Sequence, residues 1–215
     1  WEKIEVPSAM TNIMQILPYR DGFILLGTHT WFYRNPQLSV PSAWASDGVQ
    51  AAKQLGLASE GILNNYRKPI TRAEFAEISV RLYDRITGNA KIDDHVRSPF
   101  KDTNQPYVAR AYQLGIVSGV GDGKFAPNEP VSRQDMAVML VNMLAAAKVP
   151  LPSGGSEWQK PYDDLDQISE FAVESLKLLN AVGIIHGSEA SIMPKQSASR
   201  EQALIIAGRI YNMVH

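Results

Sequence analysis

The feature that most constrains this chain is a short motif written three times: ITRAEF at residues 70–75, VSRQDM at 131–136 and ASREQA at 198–203. Repeats separated by tens of residues mark architectures whose units are too small to bury an apolar face alone. The motif arginines, Arg72, Arg133 and Arg200, lie 61 and 67 residues apart. A glycine followed by an aliphatic residue precedes each one by 16, 18 and 17 residues, as Gly56-Leu57, Gly115-Ile116 and Gly183-Ile184. Glycine tolerates the left-handed conformation just past a helix end, so each unit reads as helix, glycine stop, loop of about a dozen residues, second helix. The second helices carry matching apolar stripes: Phe75, Ile78 and Leu82; Met136, Met139 and Met143; Ala203, Ile206 and Ile210. Spacings of three and four put each trio on one face, and the methionines read as core filler rather than a cofactor box. Three such helices predict a shared central bundle.

Thr71, Ser132 and Ser199 are N-cap residues, with Glu74, Asp135 and Gln202 three positions on to complete capping boxes; the shorter Asp135 fits that role least well. The arginine needs another reason, because a cation at the first helical position faces the positive end of the helix dipole. Two readings stand. In one, the helix N-terminal amides and the planar guanidinium together form an anion site suited to a carboxylate. In the other, each arginine pairs with an acid of a neighbouring unit, with Asp102 and Asp164 as partners.

Composition narrows the function. A net charge of −1 gives no basic stripe for nucleic acid, and no apolar run approaches the roughly 20 residues needed to span a bilayer. With no cysteine there are no disulfides, thiolate metal sites or cysteine nucleophile. The four histidines, His29, His95, His186 and His215, form no ligand spacing, and neither Asp163, Asp164 and Asp166 nor Asp122-Gly123 matches a calcium loop. GVGDG at 119–123 leads into Lys-Phe-Ala-Pro rather than a helix, against a phosphate loop. The reading is therefore of no catalytic residues, no metal and no cofactor. Residues 1–42 differ from the rest: DGFILLGTHTWFYRNP reads as two short strands, and the proline-bearing 35–42 as a linker. The start at Trp1 reads as a fragment whose targeting information lies elsewhere.

FKDTNQPYVARAYQLGIVSGVGDGKFAPNEPVSRQDMAVMLVNML (100–144) resembles an S-layer homology repeat through Phe-x-Asp, Gly-Ile, Gly-x-Gly-Asp-Gly-x-Phe-x-Pro and the hydroxyl-Arg-x-acid motif. WASDGVQAAKQLGL with ITRAEF, and YDDLDQISEFAVESLKLLNAVGIIHG with SREQA, resemble flanking repeats. The resemblance covers about 170 residues. It implies a mainly α fold: repeats at 43–98, 99–159 and 160–215 in a pseudo-threefold, three-lobed unit around a central bundle, with a short β-rich segment before them. It implies an extracellular module that holds a surface protein to the bacterial wall through secondary polysaccharide, often pyruvylated, in grooves between lobes. The alternative is a helical scaffold for another protein, its arginines acting as ion-pair locks.

Carried over by motif, Arg72, Arg133 and Arg200 are the anion contacts beside the cap hydroxyls, and Asp102 and Asp164 are hydrogen-bonding or arginine-positioning groups. Trp44 and Phe171, each twelve residues before its unit's glycine, stack on sugar or pack in the core. The implied partners are wall polysaccharide and a preceding domain of the same protein. The first unit lacks Phe-x-Asp and the Asp-Gly turn, the third has HGSEASIMPKQ in place of that turn, and the second has no tryptophan, so the grooves are not expected to be equivalent.

Overall fold

The structure is a computed structural model that describes residues 15–19, 22–26, 30–34, 40–89, 97–151 and 157–215. The linker read at 35–42 lies mostly outside the described residues. The fold is mainly helical. Its helices are α1 (Ser46–Gln54), α2 (Arg72–Thr87), α3 (Pro106–Gln113), α4 (Arg133–Ala146), α5 (Val173–Ala181) and α6 (Arg200–Val214). Before them the backbone pairs as an antiparallel meander of β1 (Gln15–Tyr19), β2 (Gly22–Leu26) and β3 (Thr30–Arg34), with Leu17 opposite Ile24 and Ile24 opposite Phe32.

Each motif opens a long helix at its arginine. Thr71, Ser132 and Ser199 accept the amides of Glu74, Asp135 and Gln202. Glu74 and Gln202 return the bond to the cap amide, whereas Asp135, one methylene shorter, does not complete the box. All nine residues of the three apolar trios are buried. α2 packs against both α4 and α6. Glycine stops follow α1, α3 and α5, with φ of 65°, 70° and 75° at Gly56, Gly115 and Gly183, where a side chain would be strained. α3 starts directly at Pro106, without the 3-10 turns at Ala43–Ala45 and Glu170–Ala172 that precede α1 and α5.

The packing does not follow the sequence units. α1 lies on α6, α3 on α2 and α5 on α4, so each unit's first helix covers another unit's second helix. Gly48 permits a close approach of α1 to α6, since a Cβ there would stand 2.7 Å from Ile205 Cγ1. The segments just before the motifs close a circuit of backbone hydrogen bonds. Ile70 N–H donates to the Ala198 carbonyl (2.9 Å), Ala198 to Val131 (3.2 Å) and Val131 to Ile70 (3.0 Å). All three side chains are fully buried. Each bond contributes only about 1 kcal/mol net, but breaking one strands a buried polar pair. Among the described residues, no helix is long and apolar enough to cross a membrane.

Candidate functional site

The helix starts are not open to an anion. The first two amides of α2, at Arg72 and Ala73, donate to the carbonyls of Glu129 and Pro127. Those of α4, at Arg133 and Gln134, donate to Gln196 and Pro194, and those of α6, at Arg200 and Glu201, to Lys68 and Tyr66. Together with the cap hydroxyls, these bonds occupy the donors that a helix N-terminus otherwise leaves vacant. The expected anion site at free amides is thereby corrected: a loop of the neighbouring unit fills it. The hydroxyls of Thr71, Ser132 and Ser199 are likewise engaged in capping.

The guanidinium groups reach the same neighbouring loops. Arg72 donates from Nε to the Phe125 carbonyl (2.9 Å) and from Nη2 to Ser118 (3.2 Å), and lies 4.8 Å over the Phe125 ring. Arg133 donates to the carbonyls of Ile192 (3.0 Å) and His186 (2.7 Å). Arg200 donates to the carbonyl and side-chain oxygens of Asn64 at 2.9 and 3.0 Å, and forms a two-point ion pair with Glu74. Arg133 and Arg200 are each 5% exposed, and Arg72 is half-buried.

Asp102 and Asp164 do not pair directly with arginines, which corrects the ion-pair partners read from sequence. Asp102 accepts the amides of Phe125 (2.9 Å) and Ala126 (2.8 Å). Asp164 accepts those of Ile192 (2.9 Å) and Met193 (2.8 Å) and the Ser191 hydroxyl (2.6 Å). The reason is backbone strain: Ala126 and Met193 have φ of 59° and 55°, a left-handed conformation that L-residues resist. Each carboxylate braces that turn, and the braced turn presents the Phe125 or Ile192 carbonyl to an arginine. The first unit has no such aspartate; Asn65, a residue type that tolerates this region, takes the place with φ 46°. The amide bonds hold the Asp102 carboxyl below the usual range. At Asp164 burial pushes the other way, but Ser191 and the turn amides prevail and lower it.

Core packing for the two aromatic candidates is overturned. Trp44 is 64% exposed and Phe171 is 62% exposed. Their segments are tethered by the residue after a motif arginine. The buried Glu201 accepts the Ser42 amide and hydroxyl, both at 2.9 Å, and Gln134 bonds the Ser169 amide and hydroxyl, both at 3.0 Å. Trp44 thus stands at the mouth of a cleft of about 170 Å³, with Arg133, His186, Gln202 and Arg209 as its polar lining and Ile184, Ile205 and Ile206 as its apolar lining. Of the ten predicted site residues, only Trp44 and Arg133 line it.

Arg209, His186 and Gln202 were not read from the sequence as site residues. Arg209 lies nine residues past Arg200, outside the motif, and donates to the Ile184 carbonyl at 3.2 Å. Partial burial and the cations Arg209 and Arg133 lower the His186 pKa, against a raising bond to the Gly183 backbone. His186 is therefore neutral near pH 7. Among the described residues, no three His, Asp, Glu or Cys side chains are grouped to hold a metal. The cleft offers an exposed indole beside two guanidinium groups, a surface for a ring that carries an acid.

Residues 99–137 match the S-layer homology domain, the resemblance read from the sequence. The chain is 34% identical over 140 residues to an endoglucanase of Bacillus sp. (strain KSM-635), covering 62% of this chain and 14% of that protein. It is 28% identical over 140 residues to the S-layer protein sap of Bacillus anthracis, covering 63% and 16%. Against an S-layer protein of Bacillus thuringiensis subsp. finitimus it is 28% identical over 167 residues, covering 74% and 19%. The chain therefore spans less than a fifth of the length of these relatives.

Proposed function

We infer that this chain is a non-enzymatic anchor, holding a longer surface protein to the wall by binding an acidic, pyruvylated secondary polysaccharide between its repeats. The S-layer homology match and the S-layer relatives mark it as a cell-surface or cell-wall-associated protein of a Gram-positive type. The observation that carries the ligand reading is the cleft that joins the exposed Trp44 to Arg133 and Arg209. A pyruvate ketal puts a carboxylate on a sugar ring, so the indole suits the ring and the guanidinium the acid. The circuit through Ile70, Val131 and Ala198 supports reading the units as a pseudo-threefold, three-lobed body. On this reading the strands at 15–34 belong with the carried portion.

A single charge-assisted contact nets about 1.5–3 kcal/mol, too little to retain a protein on a wall. Retention rests on a whole cleft per sugar and on avidity along a polymer or among several anchored copies. The scaffold alternative draws on the arginines, since all three tie one unit to the next. Sedimentation with isolated Gram-positive walls separates the two. The anchor is expected to pellet with intact walls and to stay in solution once the non-peptidoglycan polymer is stripped. Binding that survives stripping would overturn the polysaccharide reading.

A further inference from the structure

Near each motif arginine stands a different side chain at one equivalent position, the third residue of a neighbouring motif helix, and only Arg200 contacts it. Arg200 meets Glu74, with Nε 3.3 Å from one carboxylate oxygen and Nη2 on the other. Arg72 feels Asp135, whose charge opposes the lowering of the Arg72 pKa by burial. Arg133 shares its cleft with Gln202, which is neutral. Resting on the anchoring reading, we propose that this third residue is the charge gate of each groove. Gln202 makes the Trp44 cleft receptive to a carboxylate-bearing sugar, and Glu74 occupies the Arg200 groove from within as a built-in carboxylate.

The chemistry of the two positions supports the assignment. Glu74 caps and pairs at once: its Oε2 also accepts the Thr71 amide at 3.1 Å. Gln202 caps equally well, accepting the Ser199 amide at 2.9 Å, so the cap is the same and only the charge differs. Among the described residues, no carboxylate lies within ion-pair distance of Arg133 or Arg209. Asp164 acts on Arg133 electrostatically, but its oxygens are engaged by Ser191, Ile192 and Met193. A cation that is 5% exposed and lacks a carboxylate is costly to keep, and an incoming acid offsets that cost. At Arg200 the offset is already in place.

The test is Gln202→Glu, a residue that Glu74 shows this position accepts. Binding is measured by calorimetry with two probes: the methyl glycoside of a 4,6-O-pyruvylated N-acetylhexosamine and the same sugar without pyruvate. The wild type is expected to prefer the pyruvylated probe by about 10-fold or more. In Gln202→Glu the preference collapses to about one, and the melting temperature does not fall, because Glu caps the helix as Gln does and supplies Arg133 with a carboxylate. A preference that persists in the variant, or equal loss of both sugars, overturns the gate while leaving the anchor standing. No preference in the wild type overturns the acidic-ligand reading and the gate together, even where wall sedimentation succeeds.

Discussion

Two junctions between units solve the same problem in different ways. Where α4 of the second unit meets the turn of the third, Asp164 holds the turn by its amides, and Arg133 reaches the carbonyls that the turn presents. Where α6 of the third unit meets the turn of the first, there is no bracing aspartate; Asn65 takes the left-handed position, and Glu74 seizes Arg200 directly. Each junction thus contains one arginine and one acid within reach. An acid on backbone amides leaves the guanidinium without a carboxylate partner, whereas an acid on the guanidinium pairs it from within the protein. On the reading proposed above, placement of the carboxylate, rather than its presence, separates a lock from a receptor.

Arg200→Ala breaks this comparison most severely. It strands Glu74, whose side chain is 22% exposed, and should cost about 3 kcal/mol in urea unfolding. Wall binding of the refolded variant is expected to survive, because the Trp44 cleft is untouched. Asp164→Ala follows, at about 2 kcal/mol, since it releases two amides and a hydroxyl around a strained Met193.

The same residue has a pH signature. Its folded-state pKa is lowered, so its stabilisation is complete above the unfolded carboxyl value of about 3.9 and is lost as pH falls through the folded value. The Asp164→Ala variant should therefore show a shallower acid limb in a pH–stability curve, and an unchanged limb would refute the brace. The smallest effect sharpens the comparison at the cleft. Protonating His186 adds a third positive charge beside Arg133 and Arg209, and a bound acid raises the His186 pKa by linkage. Affinity for a pyruvylated sugar should rise less than tenfold as pH drops below about 6.5, and His186→Gln should abolish that rise.

Much of the local structure was legible in the sequence. The caps at Thr71, Ser132 and Ser199, the glycine stops and the buried trios follow from short-range rules, because their partners lie within four residues. The weak fit of Asp135 to a capping box was also readable from its side-chain length. The site was less legible. Gln202 read as a capping residue and Arg209 did not stand out, and nothing in the local sequence placed either beside Trp44. The rings of Trp44 and Phe171 carry the composition of core residues. The long-range tethers from Glu201 to Ser42 and from Gln134 to Ser169 help to fix how their segments sit.

What the sequence determined by itself was local: where the three motif helices start, where the helices before them stop at glycine, which face is apolar, and that the motif is written three times. What tertiary structure alone decided was which unit covers which helix, which carbonyls fill the helix starts, and whether a given acid meets an amide or a guanidinium. The physical reason is range. Caps and stripes are set by contacts a few residues apart, whereas the Arg200–Glu74 pair joins residues 126 positions apart and the Glu201–Ser42 tether spans 159. Such pairs acquire their meaning only when the chain closes on itself and burial forces every polar group to find a partner.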